Sequence, residues 1–225
     1  MDWQALLLTL KLDLVVCILL FLIGVPLAAR LAFWRWRGKF LLESIIALPL
    51  VLPPTVLGFY MLLALGPRSP LGKAFNSIFH RGLPFSFEGL VIASLIYSLP
   101  FMVQPISAAF AAVDPRLMAA SAVLGASRLR TFLRVVLPLS TAGLLTGLVL
   151  TFAHTLGEFG VVLMVGGNIP GVTRTVSISI YDNVQALEYA SAARTSLVLL
   201  ITSFVILSIV YGSTRTKSLL WPGRH

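Results

Sequence analysis

Long apolar runs, each near the ~20 residues a helix needs to cross the hydrocarbon core of a bilayer, dominate this chain of 225 residues. Five such spans are read, at about Leu6 to Ala29, Leu41 to Leu65, Gly89 to Val113, Leu137 to Gly166 and Thr195 to Tyr211. Hydrophobic residues make up 58% of the chain and charged residues only 11%, which excludes an ordinary soluble enzyme. Too few residues lie outside the runs to build a separate nucleotide-binding or catalytic domain. The expected fold is therefore all-α: one polytopic membrane bundle of about five helices over residues 1–225.

The formal charge of +9 would suggest nucleic acid in a soluble protein, but here the basic residues sit between the apolar runs and read as topology signals. One side of the membrane receives Arg30, Arg35, Arg37 and Lys39, then Arg116, Arg128, Arg130 and Arg134, then Arg215, Lys217 and Arg224. That is eleven basic residues against six on the other side, namely Lys11, Arg68, Lys73, Arg81, Arg174 and Arg194. The richer side is taken as cytoplasmic, which puts the N-terminus outside and the C-terminus inside. The first run follows Asp2 and contains Lys11 and Asp13, with no positive segment before it, so it reads as a retained anchor rather than a secretory signal. Cys17, the single cysteine, lies inside that run and reads as a small core or lipid-side residue.

The loop between the third and fourth runs carries the most information. Asp114 suits a helix cap and Pro115 a first helical position. A stretch of small residues follows to Gly125, and then a second segment places Arg130 and Arg134 on one face before Leu137-Pro138. This predicts a short helix, a glycine turn and a second amphipathic helix ending before the proline. Small residues let another surface approach the backbone closely, so the pair is shaped to dock into a groove on a soluble partner.

The same loop resembles the EAA signature of permease subunits in ATP-binding-cassette importers. Ala119, Ala120 and Ser121 take its first three positions, Gly125 its glycine, Val135 its aliphatic and Leu137-Pro138 its end. Ala119 stands where that signature has glutamate and Ser121 where it has alanine. Further segments resemble the molybdate branch of the family and, more weakly, its sulfate and thiosulfate relatives. They are Trp3-Gln4-Ala5-Leu6, Thr9-Leu10-Lys11, the run from Leu48 to Tyr60, Leu156-Gly157-Glu158-Phe159-Gly160 and the run from Ile169 to Thr175. The resemblance implies a non-catalytic permease subunit in the bacterial inner membrane, translocating molybdate and tungstate. Its implied partners are two cytoplasmic ATPase subunits, a periplasmic oxyanion-binding protein and a second copy of itself. Mg-ATP would sit on the ATPase, since this chain has no GxxxxGK[ST] loop. It needs no cofactor of its own.

Residues along the route are read from chemistry. Pro49, Pro53 and Pro54 remove backbone donors in the second run, and Thr55 adds a hydroxyl. Irregular backbone of this kind either lines a pathway or makes a packing kink. Pro100, Pro105 and Gln104 repeat the theme in the third run. Glu158 is read as the sole carboxylate well inside a span, where a charge costs roughly 2.5–3.5 kcal/mol. His154, four residues earlier, is expected to share its helix face and a proton with it. A fixed negative charge repels an oxyanion, so Glu158 is assigned a structural or gate-latching role. One histidine and one glutamate are too few ligands for a metal. A membrane enzyme would need clustered titratable groups, whereas His80, His154 and His225 are scattered. A self-contained channel or secondary transporter would not need the helix pair. Sulfate or thiosulfate stands as the alternative substrate.

Overall fold

Prolines and glycines decide where the apolar runs stay straight. The computed structural model describes residues 2–34 and 36–219, with side chains as far as 209. Arg35, Arg224, His225 and the side chains of Arg215 and Lys217 lie outside the described residues. Every regular element among the described residues is helical. Three helices are long and apolar enough to span a membrane: α1 (Trp3–Phe33), α5 (Phe87–Ala111) and α11 (Tyr189–Leu219, described with side chains to Ile209). Two further runs are broken pairs. They are α2 (Lys39–Val51) with α3 (Pro54–Leu65), and α7 (Arg128–Leu139) with α8 (Thr141–Leu156), the latter bent by 71°. Counting each pair as one span gives five.

The prolines act unequally. Leu52 and Pro53 are extended, at ψ 136° and 138°, so the second run opens where the proline pair removes two donors. Pro49, Pro100 and Pro105 instead sit inside unbroken helices. The expectation that Pro100 and Pro105 repeat the theme of opened backbone is therefore corrected: α5 is continuous from Phe87 to Ala111 through both.

The chain forms two compact units. The first comprises residues 1–16, 53–94 and 155–225. It holds the start of α1, α3, α4 (Pro70–Phe79), the start of α5, α9 (Gly160–Gly166), α10 (Val176–Gln185) and α11. One of its polar joints is buried and another is half-buried. The Thr9 hydroxyl donates to the Ala5 carbonyl and accepts the Val176 N–H, each at 2.8 Å. Arg174 reaches Asp2 at 3.9 Å and Asp182 at 3.6 Å. Thus two of the segments singled out in the sequence, near residues 3–11 and 169–175, are joined in space.

The second unit comprises residues 17–52 and 95–154. It holds the rest of α1, α2, most of α5, α6 (Pro115–Val123), α7 and most of α8. Gly143 and Gly147 let α8 lie against α5: a Cβ on Gly147 would stand 2.9 Å from the Met102 carbonyl oxygen. This close packing is what a small-xxx-small spacing permits. Phe110 is completely buried between Phe33, at a centroid distance of 6.3 Å, and Phe132, at 5.4 Å.

Candidate functional site

The helix pair forms much as its local chemistry dictates. The Asp114 carboxylate caps α6 by accepting the Arg116 N–H at 2.8 Å, and Pro115 takes the first helical position. Gly125 turns the chain at φ +77°, in the left-handed region that glycine tolerates best. The Ser127 hydroxyl caps α7 at 3.3 Å from Arg130 N, and Ser121 bonds Thr131 at 2.9 Å to hold the two helices together. No residue of α6 is buried. Val123 and Leu124 are 88% and 86% exposed at the tip, with Leu129 beside them at 67%. Ala119, Ala120 and Gly125 are exposed, while Val135 and Leu137 are half-buried.

One expectation fails here. The second helix does not end before Pro138 but runs to Leu139, through a π-helical stretch over Phe132–Val136. A proline ring collides with the carbonyl four residues earlier, here Arg134. The wider π turn carries that carbonyl and lets the helix pass the proline. The chain then bends at Ser140, whose hydroxyl donates to the Ala109 carbonyl at 3.3 Å.

In the first unit, α3 and α9 lie parallel with their starts side by side. A Cβ on Gly160 would stand 2.7 Å from the Cβ of Pro54, and one on Gly58 the same distance from the Cβ of Met164, a constant offset along both helices. Pro53, Pro54 and Thr55 are exposed at this junction. Helix starts carry partial positive charge, so the opened backbone presents an electropositive, hydroxyl-bearing edge in a chain whose span cores otherwise hold few cations.

Glu158 stands just before α9 and is 5% exposed. Its Oε2 accepts a hydrogen bond from the Ser94 hydroxyl at 2.8 Å. Its Oε1 is buried without a hydrogen-bond partner among the described residues. The expected Glu158–His154 pair on one helix face is not found. The helix ends at Leu156 and Glu158 lies in the break, its N–H turned back to the Thr155 carbonyl at 3.2 Å. His154 belongs to the other unit. There its Nδ1 lies 2.9 Å from the Ser98 hydroxyl and its ring packs on Phe101 and Tyr97, at 4.0 and 4.5 Å between centroids. Nor is Glu158 the sole carboxylate inside a span, because Asp13 is fully buried within α1. Sequence reasoning missed Ser94 and Ser98, which take these two side chains from positions four apart on α5. Hydroxyls at helical spacing in an apolar run were the available signal.

The sequence pattern of binding-protein-dependent transport system inner membrane components matches residues 21–217. The chain belongs to this family. Among its relatives, the molybdenum transport system permease protein ModB of Azotobacter vinelandii is 48% identical over 96% of each chain. ModB of Escherichia coli K12 is 40% identical over 82% of this permease and 80% of that protein. The sulfate transport system permease protein CysT of Salmonella typhimurium is 31% identical, over 82% of this chain and 66% of its own. The fold matches a bacterial ABC transporter involved in the import of the acidic polysaccharide alginate. The TM-score is 0.79 over 95% of this permease and 78% of that chain, at 18% identity. The helix pair and the paired starts of α3 and α9 are thus features of a transport-system membrane component.

Proposed function

We propose that this permease is the translocation subunit of an ATP-driven importer of molybdate and, with the same tetrahedral dianion chemistry, tungstate. The observation that carries the reading is the identity of 48% to a molybdenum permease over nearly the whole of both chains. The sulfate permease, at 31%, supports sulfate or thiosulfate less strongly.

On this reading the exposed tip from Ala119 to Leu124 seats on a cytoplasmic ATPase, which binds Mg-ATP and performs the hydrolysis. Two copies of the chain enclose the pathway about a two-fold axis that matches a paired ATPase. The charge bias orients the N-terminus outside and the tail inside, so a periplasmic binding protein delivers the anion to the opposite face. Affinity resides in that binding protein. The permease offers a low-affinity passage past the electropositive starts of the broken helices at Pro53, Pro54 and Thr55. Glu158 and His154 latch the broken helices through Ser94 and Ser98 and do not touch the anion.

The test is ATP hydrolysis by the reconstituted permease and ATPase, with binding protein loaded in turn with molybdate, tungstate, sulfate or thiosulfate. Stimulation by the first two alone is expected. Stimulation by sulfate moves the assignment to the relative, and hydrolysis indifferent to binding protein overturns the importer reading.

A further inference from the structure

Between α3 and α5 lies a ten-residue helix, α4, that the transport reading does not use. Its apolar side chains are Leu71, Phe75, Ile78 and Phe79, which at 100° per residue occupy one arc of roughly 100°. Lys73, Asn76 and Ser77 occupy the opposite side and are exposed. The stripe is not packed away: Leu71 is 62% exposed, Ile78 70% and Phe79 53%. Phe75 and Phe79 stack on each other at 4.5 Å.

Three observations identify what covers this stripe. Only four residues separate the end of α3 from the start of α4, and each residue reaches at most ~3.6 Å, so α4 lies at the level where a membrane helix ends. That connection is also tight. The Ser69 hydroxyl donates to the Gly66 carbonyl at 2.8 Å and accepts the Gly72 N–H at 2.9 Å, while Gly72 packs directly on Gly66. Finally, the connection and α4 carry Arg68 and Lys73 and no acidic residue, while Arg81 beyond them is paired with Glu88 at 2.6 Å; the two former cations supply a charge complementary to anionic headgroups. A short helix with one apolar and one basic-polar face is the form that lies in a membrane interface.

We infer that α4 is an interfacial helix that seats Leu71, Phe75, Ile78 and Phe79 among the acyl chains of anionic phospholipid, with Lys73 toward the headgroups. Because Ser69 and Gly72 fasten α4 to α3, the lipid surface holds one end of the helix whose other end carries Pro54 and Thr55.

Spin labels on single cysteines test this in the full chain, in a Cys17→Ala background, reconstituted into vesicles of phosphatidylethanolamine and phosphatidylglycerol. Labels at Leu71 and Ile78 are expected to collide severalfold more with oxygen than with a water-soluble nickel chelate. Labels at Lys73 and Ser77 should show the reverse. A label at Ala74 leaves the whole stripe intact and is expected to follow Ile78, its neighbour in the arc. Nickel-dominated collisions at Leu71, Ala74 and Ile78 overturn the inference by placing the stripe in water. Exclusion of both colliders there also overturns it, by placing the stripe against protein.

Discussion

The Ser94–Glu158 hydrogen bond should be a measurable part of this protein's stability. Ser94 is completely buried and Glu158 nearly so, and the second carboxyl oxygen has no hydrogen-bond partner among the described residues. Replacing Ser94 with alanine would leave both oxygens of a buried carboxyl without a hydroxyl donor. Stranding a buried acceptor costs about 1–3 kcal/mol. With roughly 2–4 °C of melting temperature per kcal/mol for chains of this length, the expected loss is about 2–12 °C. The assay is thermal unfolding of the detergent-solubilised permease followed by far-ultraviolet circular dichroism. A double-mutant cycle isolates the pair, since Ser94→Ala should cost little in a Glu158→Ala background, where no acceptor remains to be stranded. An unchanged melting temperature in Ser94→Ala, or the same loss in both backgrounds, would refute the argument that this bond latches the break before α9 to α5.

Three other outcomes follow from the geometry. Gly125→Pro imposes φ near −65° where the turn needs +77°; in proteoliposomes with the ATPase, hydrolysis should uncouple from uptake, and intact coupling would sink the docking assignment. Thr9→Val removes the buried acceptor of the Val176 N–H and should cost about 1–3 kcal/mol, seen as faster hydrogen exchange over residues 169–180. Gly147→Leu forces a side chain into the Met102 backbone, an overpacking worth about 1–3 kcal/mol. It should lower the yield of monodisperse protein by size-exclusion chromatography, whereas Gly82→Ala, whose nearest neighbour is 3.9 Å away, should not.

Much of the architecture was legible because lipid and local sterics leave few options. Apolar runs of about twenty residues satisfy their backbones only as helices in a bilayer, so helix was the expected state of each run, although the fourth, read from Leu137 to Gly166, divides among the end of α7, α8 and α9. The helix pair was legible for a different reason. Asp114, Pro115, Gly125 and Ser127 act on their own backbone or the next few residues, so their effect needs no distant partner. The errors arose where a residue's role depends on something far away in sequence. Pro138 was read as a stop, but a π turn upstream accommodates it. Gly157 and Glu158 were read as helix, but the run opens there and starts again at Gly160 against Pro54. Asp13 was passed over beside Lys11 as part of an ordinary span start.

From its sequence alone, this protein was bound to be a helical membrane component with a capped helix pair between two apolar runs, because hydropathy and caps act over one or two helical turns. Which prolines break a helix, which hydroxyl receives Glu158 and which receives His154 were left to the tertiary structure. Those choices are made by contacts between segments 50 to 170 residues apart, such as Ser98 with His154 or Thr9 with Val176. Burial makes an unpaired polar group costly, yet it does not say in advance which of several hydroxyls will pair. Only the packing that brings α5 against the start of α9, and α1 against α10, settles the partner.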